Sequence, residues 1–279
     1  MRFLFWNIHK NESLFSSIAS IAEVENIDVL MIAECPENKQ LDLLLSLNAN
    51  NSDIFKYLVP LVNYQKVMVY YRHCKITNKE DKPRISVKEL YSPLLQGNIT
   101  LVICHLHSKI NNSDEELSEK AEGLRRFIED MESKLGHQRT VCCGDFNMNP
   151  FDKGIIKAQG LHAVMEKNIA NKKECIIEGE KFSFFYNPMW GFLGDLGRGN
   201  VSGTMYYNSG GHINYYWHLY DQVLIRPDMI NSFDESDLKI VTSANELNLL
   251  TSNNLVDKTL SDHLPIKFNL NSCLIDRLI

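Results

Sequence analysis

The chain has 279 residues, 44% of them hydrophobic and 23% charged, with a formal net charge of −6. A chain of this length buries a sizeable core without disulfides, and its composition is that of an ordinary globular protein. The acidic balance excludes a polyanion binder that works by overall charge.

The apolar runs are strand-sized and fall well short of the roughly 18 residues of a membrane span, so none is expected. The opening MRFLFWNIHK has neither a long apolar stretch nor a small-residue cleavage site. It does not read as a signal peptide, and a cytoplasmic location is expected. The seven cysteines are irregularly spaced and lack a CxxC pair. Cys104, Cys142 and Cys143 lie inside strand-like runs and read as small buried hydrophobes.

In chain order, residues 2–8 read as a strand. Leu14, Ile18, Ile21 and Ala22 then recur at helical spacing. Residues 28–33 form a buried strand, 41–47 a short helix, and 66–72 and 98–105 two further strands. Ser113 and Glu116 make a capping box. After it, Leu117, Ala121, Leu124, Ile128, Met131 and Leu135 step by three and four residues, the clearest helix in the chain. Strands follow at 140–144, 220–225 and 265–270. With no repeat, low-complexity segment or linker, a single domain spanning 1–279 is expected.

Two strand–helix–strand units stand out, 2–34 and 98–145. Such crossovers join parallel strands, and parallel strands end on one edge. Asn7 and Glu34 should therefore leave their strands on a shared edge, as should His105 and Asp145. Asp221 and His263 lie at the starts of their strands. If those strands run antiparallel to the others, all six groups converge on one rim.

Two strings carry the chemistry: Gly144-Asp145-Phe146-Asn147 and Ser261-Asp262-His263-Leu264-Pro265. With Trp6-Asn7, Ala33-Glu34, Cys104-His105-Leu106 and Tyr220-Asp221, they resemble the endonuclease/exonuclease/phosphatase superfamily. The pieces come in that family's order and run nearly from end to end. The resemblance implies an α/β fold, a four-layer α-β-β-α sandwich of two packed mixed β-sheets with outer helices and a cleft at the sheet edge. It implies a divalent-metal-dependent phosphodiester hydrolase, a nuclease acting on DNA or RNA by water attack on phosphate. The alternative on the same core is a phosphatase or phospholipid-type phosphodiesterase acting on an inositol phosphate or sphingomyelin-like substrate. A third reading keeps the fold as a binding module without catalysis. Nucleic acid is the expected partner, and no protein partner is inferable.

The residue types fit that chemistry. A phosphodiester repels hydroxide, so hydrolysis needs a cation on the non-bridging oxygens and an oriented water. Mg²⁺ takes oxygen ligands and keeps several waters, so one or two carboxylates suffice, and Mn²⁺ is also compatible. Glu34 is the first choice of ligand, with Asn7 and Asp262 as its partners. Asp145 and Asn147, two apart, project to one side of an extended backbone. Asp145 would orient or deprotonate the water, and Asn147 would donate its amide to phosphate or to Asp145. The plain alternative is an Asx-turn closing a strand. Asp221 and His263 form a second dyad, in which the carboxylate raises the basicity of the imidazole.

By resemblance His105 is a phosphate donor. His107 reads as a supporting or surface residue. His9 stands where many family members carry an Asp, which leaves the number of ions open. The segment between Phe182 and Tyr220 is rich in Gly and aromatic residues. Most of its rings should pack the second sheet, with Trp190 and Tyr207 lining the cleft and Arg198 meeting a phosphate. Lys79, Lys82, Arg84 and Lys109 would form a basic rim if they border that cleft.

Overall fold

Alternation of apolar side chains along the strands decides the layering. The computed structural model describes residues 1–49 and 53–272. Its main strands are β1 (Arg2–Asn7), β2 (Val29–Ala33), β3 (Lys56–Leu58), β4 (Val67–Tyr71), β5 (Lys75–Lys82), β6 (Ile85–Ser92) and β7 (Gly97–His105). They continue with β8 (Thr140–Asp145), β9 (Ala163–Val164), β10 (Phe185–Tyr186), β11 (Asp221–Ile225), β12 (Phe233–Ile240) and β13 (Ile266–Leu270). The longer helices are α1 (Phe15–Val24), α2 (Gln40–Asn48) and α3 (Asp114–Leu135).

One sheet has six strands in the order β12-β13-β1-β2-β4-β3, the other seven in the order β5-β6-β7-β8-β11-β10-β9. The two expected crossovers are present. β1 pairs parallel with β2 across α1, and β7 pairs parallel with β8 across α3. The late strands run the other way: β11 is antiparallel to β8, and β13 antiparallel to β1.

Successive strand residues face opposite sides, and here they enter separate cores. Leu101, Ile103, Val141, Cys143, Val223 and Ile225 join the core shared with the first sheet and α1. The Cys143 Sγ lies 3.4 Å from the Met31 Sδ across the sheet–sheet interface. Val102, Cys104, Cys142 and Leu224, at the alternating positions, join Leu117, Ala121, Leu124 and Ile128 of α3. The layers are thus helix, sheet, sheet, helix. Each fully buried aliphatic side chain contributes about 1.5–3 kcal/mol.

Local signals fix the helix ends. Ser113 and Glu116 form the capping box in full, and Gly136 closes α3 in the left-handed region at φ 74°. Arg226, just past β11, makes a two-pronged pair with Glu132 of α3 at 2.9 and 3.1 Å. It also donates to the Phe184 carbonyl at 3.0 Å and lies 4.0 Å over the Phe185 ring. Helix and sheet are thereby clamped at the end of β11 far from Asp221.

Strands β5, β6 and β12 were not expected from the sequence. β5 and β12 are edge strands, and several of their side chains face solvent. Their polar sequences therefore show little of the hydrophobic alternation that marks a strand.

Candidate active site

The inward alternation carries past the core to the rim. Leu101 and Ile103 are followed on the same face by His105, Val141 and Cys143 by Asp145. On β11, Asp221 begins the face that Val223 and Ile225 continue. His105 stands in register with Asp145 across the parallel pair, and Asp221 in register with Asp145 across the antiparallel one. From the other sheet, Asn7 extends the face of Phe3 and Phe5. Three strands of one sheet and one of the other therefore deliver polar groups to a single edge.

They meet at the Asp145 carboxylate. Its Oδ2 accepts from the Asn7 Nδ2 at 3.2 Å and lies 3.7 Å from the His105 Nε2 and 3.9 Å from the His263 Nε2. Its Oδ1 accepts from the Asn147 backbone N–H at 2.9 Å. This is the Asx-turn foreseen as the plain alternative, and it orients the carboxylate that the other groups face. The Asn147 amide donates to the Leu106 carbonyl at 3.2 Å. The His263 Nδ1 lies 2.7 Å from the Asp221 Oδ2. The Glu34 Oε1 lies 3.5 Å from the His105 Nε2.

Backbone geometry at the rim is unusual. Glu34 has φ 52°, and His9, Lys10 and Asn147 also lie in the left-handed region. Asn tolerates that conformation, whereas Glu does so at a cost. Gly144 has φ 149°, and a Cβ there would lie 1.9 Å from the Cys104 carbonyl oxygen. Only glycine lets β7 and β8 stay paired up to the last residue before His105 and Asp145.

Two residues tie the late loop to β1. The Trp6 indole donates to the His263 carbonyl at 2.8 Å, and the Ser261 hydroxyl donates to the Asn7 carbonyl at 2.7 Å. Thr204 holds the same corner, accepting from the Leu264 N–H at 2.7 Å and from the Asp221 N–H at 3.3 Å. Trp6 and Ser261 lie within the motif strings, but nothing in those strings reveals their structural role. Thr204 had no signal at all.

Burial and charge compete at this centre. Burial pushes the His263 imidazole down, yet the Asp221 and Asp145 carboxylates overcome it and carry its pKa up to about 10. Burial raises the Asp145 carboxyl above its ordinary range, against the pull of the His263 charge. His105 is lowered, chiefly by burial. The centre therefore holds a cationic His263 and a neutral His105 around a carboxylate of raised basicity.

The expected metal ligands are not all gathered. Glu34 stands at the rim beside His105. Asn7 faces Asp145, and its Oδ1 also accepts from the His9 N–H at 3.1 Å. Asp262 instead lies 3.4 Å from the His9 Nδ1, and no described contact joins it to Glu34. Asp145, Asp221 and His263 could offer ligand atoms within 4.8 Å of one another. In that trio the His263 Nδ1 is already bonded to Asp221, which leaves its Nε2 as the ring nitrogen that could take a ligand's place. In donor type alone, the oxygens of Glu34, Asp145 and Asn7 are those a hard cation such as Mg²⁺ takes.

Other expected contacts fall away from the cleft. Arg198 donates to the Glu235 carbonyl at 2.7 Å, Lys79 pairs with Glu89 at 2.8 Å, and Lys82 lies 3.7 Å over the Phe127 ring. Each is engaged elsewhere. Trp190 packs edge-on against Phe151 at 6.3 Å. His107 is partly exposed and makes none of the contacts described above. Arg84 and Lys109 do border the site, each in one of two cavities that flank it. The cavity on the Glu34–His105 side, about 500 Å³, includes Lys10, Lys66 and Arg84 together with Glu37. The one on the Asn147 side, about 510 Å³, includes Lys109 and Tyr207.

Solved structures share this arrangement of strands and helices over nearly their whole length. An endonuclease/exonuclease/phosphatase family protein from Bacteroides thetaiotaomicron is 13% identical, with a TM-score of 0.57 and 97% of each chain covered. D. rerio TDP2 complexed with a single-strand DNA product is 14% identical, with a TM-score of 0.58 and coverage of 97% of this chain and 98% of that one. This chain has the endonuclease/exonuclease/phosphatase fold. The endonuclease domain of TRAS1, a telomere-specific non-LTR retrotransposon, shares the fold at 15% identity, with a TM-score of 0.53 and 97% of each chain covered. No protein-family profile and no curated protein sequence matches the chain, so the likeness is one of structure. Among the described residues no helix is long and apolar enough to cross a membrane.

Proposed function

We propose that this protein is a divalent-metal-dependent phosphodiester hydrolase that acts on nucleic acid. The observation that carries the reading is the Asp145 Oδ2, faced by nitrogens of Asn7, His105 and His263 from three separate parts of the chain. A buried carboxylate of raised basicity beside two imidazoles is suited to taking a proton from water. The Asn7 amide and the Asn147 backbone fix its two oxygens in place. Among the described residues the His263 Nε2 has no partner closer than Asp145, at 3.9 Å, so its proton is available to a phosphate oxygen. Asp221 holds the ring and sustains its charge. The neutral His105 supplies a second hydrogen bond on the Glu34 side.

Glu34 would hold the cation, with Asn7 as a further oxygen donor and either Mg²⁺ or Mn²⁺ compatible with them, while Asp262 is turned toward His9. A divalent ion there would neutralise charge on the phosphate oxygens. Support for nucleic acid comes from two sources. One structure of the same fold holds a single-strand DNA product and another is an endonuclease domain. The cavity beside Glu34 holds three cations, Lys10, Lys66 and Arg84, against the two carboxylates of Glu34 and Glu37.

A substrate panel tests the reading: single- and double-stranded DNA, RNA, abasic DNA, inositol phosphates and sphingomyelin, with Mg²⁺, Mn²⁺ or chelator. Cleavage of a nucleic acid, abolished by chelator, is the expected result. Turnover confined to inositol phosphates or sphingomyelin overturns the substrate class. Turnover that survives chelation overturns the metal dependence.

A further inference from the structure

The six described cysteines are not alike. Cys104, Cys142 and Cys143 are buried in the two cores, out of reach of a solute. Cys35 and Cys74 are partly buried, and burial pushes their thiols up to about 12. Almost no thiolate, the reactive form, exists there at neutral pH. Cys175 differs from all five. It is partly exposed on the hairpin of Glu174–Ile177 with Glu180–Ser183, and its Sγ lies 3.8 Å from the His162 Nε2.

Packing holds that imidazole in place. His162 is 8% exposed. Its ring lies 4.1 Å from the Phe184 ring and meets Phe182 edge-on at 6.5 Å. Phe182 stands opposite Cys175 in the hairpin register, so the strand that delivers the thiol also braces the base. The His162 Nδ1 is buried with no hydrogen-bond partner among the described residues. Burial pushes the imidazole pKa down, which keeps the ring neutral at pH 7 and leaves one nitrogen with a lone pair. With the proton on Nδ1, the Nε2 accepts from the thiol. A thiol within reach of a base that is itself fixed is the arrangement of an activated nucleophile.

We propose that Cys175 is a thiol–disulfide exchange site, at which a small disulfide is captured as a mixed disulfide with His162 as the base. The His162 Nε2 takes the thiol proton, and the Cys175 thiolate attacks one sulfur of the disulfide. The new S–S bond forms as the old one breaks, and the departing thiolate takes the proton from His162. Cys175 is oxidised, and the departing half of the small disulfide is reduced to a thiol. The pair is remote from the hydrolytic edge. Phe184, stacked on His162, accepts through its carbonyl from Arg226, at the end of β11 away from Asp221. The exchange therefore stands or falls independently of the hydrolase reading.

Oxidised glutathione is the probe. The full chain carries Cys273→Ser, which silences the one cysteine outside the described residues. It is incubated with the probe at neutral pH and mapped by mass spectrometry. Glutathione should appear at Cys175 before any other cysteine. A free thiol is only a few per cent thiolate at pH 7, so losing the base should slow capture by about ten-fold. His162→Phe should show that loss with an unchanged circular dichroism spectrum. His162→Ala should show it too, and imidazole added to the buffer should restore part of the rate, which a purely structural role would not produce. Capture at another cysteine first overturns the site, as does a folded His162→Phe protein that reacts as fast as the parent. A His162→Ala rate that imidazole leaves unmoved overturns His162 as the base.

Discussion

Asp145 and Asp221 stand in register on neighbouring antiparallel strands, and His263 is hydrogen-bonded to Asp221 while its other nitrogen faces Asp145. Two carboxylates so close would repel each other in a buried edge. The imidazolium between them makes the arrangement tolerable, and in turn they hold its proton. The raised His263 pKa, about 10, expresses that exchange.

A pH dependence follows. The folded pKa lies above the unfolded value of about 6.5, so the stability it contributes is whole below that value. It is lost as pH rises through about 10. Catalysis that needs the imidazolium should decline on the same basic limb. Asp221→Asn removes the nearest negative charge and leaves burial, which lowers the pKa. The basic limb of the variant should move toward neutral pH. Rate profiles between pH 6 and 10, with the imidazole followed by NMR, check this. An unmoved limb would separate Asp221 from the charge on His263.

Removing the groups themselves tests their part in the chemistry. Asp145→Ala and His263→Ala should each lower metal-dependent hydrolysis by at least about 10²–10⁴-fold, the usual scale for a positioned acid or base. Circular dichroism should show both variants folded. A folded variant with unchanged turnover would remove that residue from the reaction.

Metal binding separates the two sets of candidate ligands. Glu34→Gln keeps the shape of the side chain and removes its charge. It should weaken Mn²⁺ binding, measured by calorimetry without substrate, by about ten-fold or more, in keeping with the one or two carboxylates such an ion needs. Retained affinity in Glu34→Gln with loss in Asp221→Asn would place the ion in the trio of Asp145, Asp221 and His263 instead.

Gly144 offers a test of the backbone that carries the site. Gly144→Ala places a Cβ 1.9 Å from the Cys104 carbonyl and forces an L-residue to φ 149°. The rigid obstacle is backbone, so β7 and β8 must part at the end where His105 and Asp145 sit. Strain of this kind costs about 1–3 kcal/mol, and the clash adds to it. Urea denaturation should show that loss, with activity falling further than the loss of folded protein accounts for.

Much of this edge was legible in the sequence because strand order and alternation are written in it. The units 2–34 and 98–145 announced parallel strands, and the positions of Asn7, Glu34, His105 and Asp145 at their ends followed. What escaped depends on the direction a side chain takes after it leaves a strand. Asp262 and His263 are adjacent, yet one turns to His9 and the other to Asp221. Lys79 and Lys82 sit on an edge strand whose existence its polar sequence conceals. The aromatic segment divides in a way that composition does not show. Phe184, Phe185, Tyr186, Met189 and Phe192 are buried, while Tyr207, Ile213 and Tyr215 are exposed.

The clamp at the other end of β11 should matter to stability and not to chemistry. Arg226 and Glu132 are 1% and 3% exposed, and Arg226 also holds the Phe184 carbonyl. Breaking a buried pair by removing one partner leaves an uncompensated charge and costs about 3–5 kcal/mol. Glu132→Ala should show a loss of that size in urea denaturation. Glu132→Gln, which keeps a hydrogen-bond acceptor, should lose less. Because β11 carries Asp221 at its opposite end, the folded fraction of either variant should retain its turnover and its basic pH limb. A displaced limb in Glu132→Gln would mean that the clamp reaches through β11 to the Asp221–His263 pair.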